Sequence, residues 1–193
     1  PERYIQVYRC NSGSLNVEDC YLLSNISLEE ANFDIINIQP RTLLGTTVFF
    51  LYNTKSKISY MFYINYENKM LNYETFEGRL IDASFIHTSK GQIIGQYLVE
   101  NQGVVVSVFY QDWSFGGKQR VLLESSVVGE TGFCPKQIVS SSGWQQNFTV
   151  LSNCGDVVEL VKFGFEFDSQ EKDGLLSVND IVVEEKRDVA RNI

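Results

Sequence analysis

Between Arg79 and Val128 the chain reads as four strand-length runs, each cut from the next by turn-forming residues, and this stretch limits the fold more than any other. The runs are Leu80 to Thr88, Gln92 to Glu100, Val104 to Asp112 and Gln119 to Val127. Between them stand Ser89-Lys90-Gly91, Asn101-Gln102-Gly103 and the segment from Trp113 to Lys118 with Gly116-Gly117. These residues supply the positive φ angles that tight reversals need, so the stretch predicts a four-stranded antiparallel meander. The third run begins Val104-Val105-Val106-Ser107-Val108-Phe109-Tyr110 and is apolar on both faces, whereas the fourth mixes polar residues in. A buried middle and a wetter outer strand are the pattern of a sheet stacked between two neighbours.

The same unit recurs on either side. The preceding runs are Phe33 to Pro40, Thr46 to Asn53, Ile58 to Asn65 and Lys69 to Phe76; the following ones are Phe133 to Ser142, Asn147 to Cys154, Val157 to Glu166 and Gly174 to Glu185. Matching runs are offset by about 46 to 50 residues at the first step and about 53 to 55 at the second, near the period of a propeller blade. On this rhythm the chain resembles the β-propeller superfold over almost its whole length. The resemblance implies an all-β fold of about three and a half blades. Residues 1–27 hold the last two strands of an incomplete blade (Tyr4 to Cys10 and Cys20 to Ser27), residues 28–78, 79–130 and 131–185 are full blades, and residues 186–193 form a charged, solvated tail. There is no WD dipeptide, Kelch glycine pair or Asp-box, so the resemblance implies nothing about activity.

At 193 residues and 44% hydrophobic content the chain can bury a large core, and no apolar run approaches the roughly 20 residues of a membrane span. Its net charge is −8, with Lys and Arg scattered singly, which argues against a nucleic-acid partner. The chain opens at Pro1 and reads as a processed or excised piece of something longer. Its four cysteines form two close pairs, Cys10 with Cys20 and Cys134 with Cys154, each at hairpin ends and neither with the spacing of a zinc site. They predict two disulfides and a secreted or extracellular setting. The sequons at Asn25-Ile26-Ser27 and Asn147-Phe148-Thr149 agree with that setting and predict glycans there. Two sequons are no more than the composition yields by chance, so the cysteines carry the compartment.

Catalytic chemistry is sparse. His87 is the one histidine, placed at a strand end where a structural role is expected, and no Gly-x-Ser-x-Gly, His-Glu-x-x-His or Walker loop occurs. Asp34 and Asp82 stand near the starts of first strands, which line a propeller's channel, and as a pair they are the candidates for glycosidase acid and base. The competing expectation is that each carboxylate binds backbone amides. Glu171, Asp173 and Asp180, in an acidic Gly-containing turn, are the calcium candidates, against a metal-free acidic hairpin turn. Trp113 and Trp144 fall in loops, where an indole can stack on a sugar.

These features together predict a non-enzymatic structural or interaction module with no required cofactor, working through a protein partner or by self-assembly. The alternative is a carbohydrate-active propeller, either a lectin or a glycosidase. Fourteen strands leave a ring incomplete, with a bare edge at Tyr4 to Cys10 and with Phe163 and Phe165 expected on an exposed outer face.

Overall fold

The protein is described by a computed structural model covering residues 4–10, 16–27, 33–43, 46–65, 70–88, 93–111, 121–127, 133–168 and 177–191. It is all-β, with antiparallel sheets. The strands are β1 (Tyr4–Cys10), β2 (Cys20–Ser27), β3 (Phe33–Leu43), β4 (Thr46–Asn53), β5 (Ile58–Asn65), β6 (Met70–Glu77), β7 (Arg79–His87), β8 (Ile93–Asn101), β9 (Val104–Gln111), β10 (Val121–Val127), β11 (Pro135–Ser142), β12 (Asn147–Asn153), β13 (Val157–Asp168) and β14 (Ser177–Arg191). A 3-10 turn, Val17–Asp19, precedes β2. β1 and β2 form a two-stranded sheet, and the others form three meanders, β3–β6, β7–β10 and β11–β14, each ordered as in the sequence. No closed sheet is found among the described residues. No helix there is long and apolar enough to cross a membrane.

The chain divides into two compact units, Pro1–Thr75 and Phe76–Ile193. In the first, Cys10 and Cys20 face each other across β1 and β2 and are joined by a disulfide with Cα atoms 4.0 Å apart. The adjacent buried residues Phe50 and Leu51 on β4, and Met61, Phe62 and Tyr63 on β5, show that this meander's middle strands are covered on both faces. The β4–β5 hairpin closes because Asn53 Oδ1 accepts hydrogen bonds from Lys55 N and Ser56 N, both at 3.0 Å, while Lys57 takes φ 59°.

The second unit contains two meanders packed face to face. β7 lies against β11, and β10 lies against β14. Ile86, Ile94, Leu98 and Val105 from one sheet meet Ile138, Phe148, Val150, Val161, Phe163 and Phe165 from the other in one core. The second strand is buried on both faces: Ile94 through Val99 are all buried, and Tyr97, on the face opposite Leu98, packs its ring 4.6 Å from Phe76. On β9, Val105 and Ser107 are buried. The β8–β9 hairpin turns through Gln102 (φ 51°) and Gly103 (φ 80°), the doubly left-handed geometry of a two-residue turn.

Two expectations are corrected here. Phe163 and Phe165 are 1% and 3% exposed and point into the core, whereas Leu160, Lys162 and Gly164 alternate with them toward the other face. Alternation puts the phenylalanines on one face, and the neighbouring sheet decides that this face is interior. The solvated tail is also strand: β14 continues to Arg191, paired with Val157 on β13. Residues 182–189 are exposed, so an outer strand wetted on both faces shows no two-residue period although its backbone is fully in the ladder.

The second disulfide joins Cys134 and Cys154 just outside β11 and β12, with Cα atoms 5.2 Å apart. Reducing it, or replacing both cysteines by Ala, is expected to lower stability by about 3 kcal/mol, the loop entropy released in an unfolded chain cross-linked over about 20 residues. Thermal or urea unfolding of the second unit measures the loss. A change below about 1 kcal/mol contradicts this account.

Candidate functional site

The polar groups of the second unit gather at the seam between its two sheets. A register shift between Leu80 and Asp82 turns the Asp82 carboxylate inward, where it is 1% exposed. Its Oδ1 accepts a hydrogen bond from Ala83 N at 2.8 Å on its own strand. Its Oδ2 accepts one from Ile138 N at 2.6 Å on the facing sheet. β11 shifts register on both sides of Ile138, which turns that N–H out of the ladder toward the carboxylate. Deeper in the seam, Gln96 Nε2 donates to Ser107 Oγ at 3.2 Å, and Ser141 Oγ donates to Gln96 Oε1 at 3.1 Å. A buried amide is therefore satisfied from both sheets. Beside it, Gly143 lies so close to the His87 carbonyl that a Cβ would collide with backbone.

Asp82 thus binds backbone amides, one of the two roles the sequence offered it. Asp34 stands opposite Tyr52 on β3, in the first unit; its side chain lies outside the described residues. His87 is exposed at the end of β7. Of the calcium candidates, Glu171 and Asp173 lie outside the described residues, and of Asp180 only the backbone, within β14, is described. Among the described residues no group of three or more His, Cys, Asp or Glu is placed to hold a metal. Trp113 also lies outside them.

Among the described residues Trp144 is the most exposed large hydrophobic side chain, at 76%, in the β11–β12 turn Gly143–Gln146. The turn is held from several sides. Gln145 N donates to Ser142 Oγ at 3.1 Å, and Gln146 takes φ 50°. Phe165 N donates to the Gln146 carbonyl at 2.9 Å, and Phe167 N to Gln146 Oε1 at 3.1 Å. Next to the turn opens a cleft of about 530 Å³, lined by residues including Gln145, Gln146, Gly164, Phe165, Glu166 and Glu184. At Gly164 the missing side chain leaves room for the Glu184 carboxylate, which lies over it and pairs with Lys162 Nζ at 3.4 Å. The other sequon residue, Asn25, is exposed on β2.

Sequence reasoning did not single out Gln96, Ser107, Ser141 or Gly143. Gln96 carried a signal, since one amide inside the apolar run Ile93-Ile94-Gly95-Gln96-Tyr97-Leu98-Val99 requires a buried partner. Gly143 carried none, because its reason is the backbone of another sheet. Compared with known proteins, the chain matches no family model and no curated protein sequence.

Proposed function

We propose that this chain is a β-propeller portion that acts in an extracellular setting as a structural or interaction module, completed by further sequence or by another chain. The observation that carries the reading is the stacking of β7–β10 on β11–β14 with first strand beside first and fourth beside fourth, the arrangement of consecutive blades. Two disulfides fit an oxidising compartment.

The strand edges favour assembly through one end. β14 carries Glu184, Glu185, Lys186, Arg187 and Asp188 in succession, charges that oppose pairing with another strand. β1 reads Tyr4-Ile5-Gln6-Val7-Tyr8-Arg9, with Tyr4 and Tyr8 nearly half exposed. A two-stranded sheet is marginal in water, so β1–β2 gains most from added strands.

Light scattering on the purified chain across a concentration series tests this. The expected mass exceeds the 22.0 kDa of one copy and rises with concentration. Tyr8→Lys on the β1 edge is expected to weaken association about tenfold, or ~1.4 kcal/mol. A single 22.0 kDa species at every concentration, unchanged by that substitution, removes completion by another chain.

A further inference from the structure

We propose that Asn147 carries an N-linked glycan and that Trp144 holds the first sugar of that glycan against the β11–β12 turn. The proposal shares the extracellular setting of the reading above but not its ring: a glycosylated monomer would overturn the assembly and leave this inference standing.

The strand alternation presents the sequon in usable form. Phe148 is wholly buried, whereas Asn147 and Thr149 are half-buried on the opposite face, so both reacting groups of the sequon share the wet side. Asn147 pairs with Ser142 on one side and with Gly164 on the other. Opposite Asn147 the room that Gly164 leaves is taken by the Glu184 carboxylate, and the cleft lined by Gln145, Gln146, Gly164 and Glu184 adjoins it. Asn147 Nδ2 donates to the Gln145 carbonyl at 3.5 Å, the long limit of a hydrogen bond, which a linked sugar displaces at little cost.

Trp144 supplies the second half. It precedes Asn147 by three residues in a turn whose hydrogen bonds fix it before any ligand arrives. A large aromatic ring 76% exposed on a held turn offers apolar surface that a ligand can bury with little ordering cost. The C–H face of a pyranose attached at Asn147 covers it at no cost in association entropy, because the sugar is already tethered. The carboxylates of Glu166 and Glu184 and the amides of Gln145 and Gln146 accept from its hydroxyl and acetamido groups. An anionic ligand has less to gain, since Lys162 in the adjoining face is paired with Glu184.

Covalently, the Asn147 amide nitrogen bonds to the anomeric carbon of a lipid-diphosphate-linked oligosaccharide. The bond from that carbon to the diphosphate oxygen breaks, the diphosphate leaves with the electron pair, and the amide loses one proton.

The test expresses the full chain in secreting eukaryotic cells as wild type, Trp144→Ala, Asn147→Gln and the double variant. Glycopeptide masses report occupancy, and thermal unfolding reports the coupling between the two positions. Expected are an occupied Asn147 and a wild-type Tm roughly 3 °C above that of Asn147→Gln. That gap should fall below about 1 °C when Trp144 is Ala. Enzymatic trimming of the glycan to its first sugar should leave the wild-type gap intact. An unmodified Asn147 in the secreted chain, no gap in the wild type, an equal gap without the indole, or loss of the gap on trimming would each overturn the proposal.

Discussion

Asp82→Ala is expected to destabilise the second unit by about 3 kcal/mol, because it leaves the Ala83 and Ile138 N–H groups buried and without their acceptors. The two bonds differ in reach. The one to Ala83 shapes the bulge within β7, whereas the one to Ile138 ties the sheet of β7–β10 to that of β11–β14. Asp82→Asn keeps one acceptor oxygen and turns an amide N–H₂ toward the other donor, so about half the loss is expected. Urea unfolding followed by near-ultraviolet circular dichroism measures both. If Asp82 were held for catalysis, its replacement would leave stability unchanged or raise it, as functional sites commonly do. A loss of less than about 1 kcal/mol in Asp82→Ala would therefore remove the clasp as a structural element.

Phe163→Ala is expected to have the larger effect, about 4 kcal/mol, by emptying the middle of the core between the two sheets. The ring stacks on Phe148 at 5.0 Å and meets Phe133 edge-on at 5.7 Å, so the substitution removes two aromatic contacts as well as apolar burial. Phe163→Leu, which keeps most of the volume, should cost about 1.5 kcal/mol or less. Val183→Ala, on β14 at 50% exposure, should stay within about 0.5 kcal/mol of wild type. Equal, small effects at Phe163 and Val183 would mean that Phe163 lies on an outer face, as alternation alone had allowed.

Where the chain turns and where it extends was written locally. β4 and β5 begin and end where their apolar runs do, because the turn Thr54-Lys55-Ser56-Lys57 is held locally, by the side chain and the carbonyl of Asn53. Both cysteine pairs were legible for the same reason, since a hairpin brings its ends together whatever surrounds it. The repeat of four strands was legible as rhythm, and the glycosylation signal at Asn147 as a triplet. What the residues could not state was which face of each sheet has a neighbour. Phe163 and Phe165 share a face by alternation, but only the opposing Ile86, Ile94 and Leu98 make that face interior. Asp82 and Ile138 meet across 56 positions because register shifts in two different strands aim a carboxylate at an N–H. β14 runs to Arg191 because β13 offers it a ladder, although its own charged residues show no period. Turn and strand preferences act over a few neighbouring residues and leave a local record; partner faces and register are settled by packing between segments far apart in the chain, and no single segment records them.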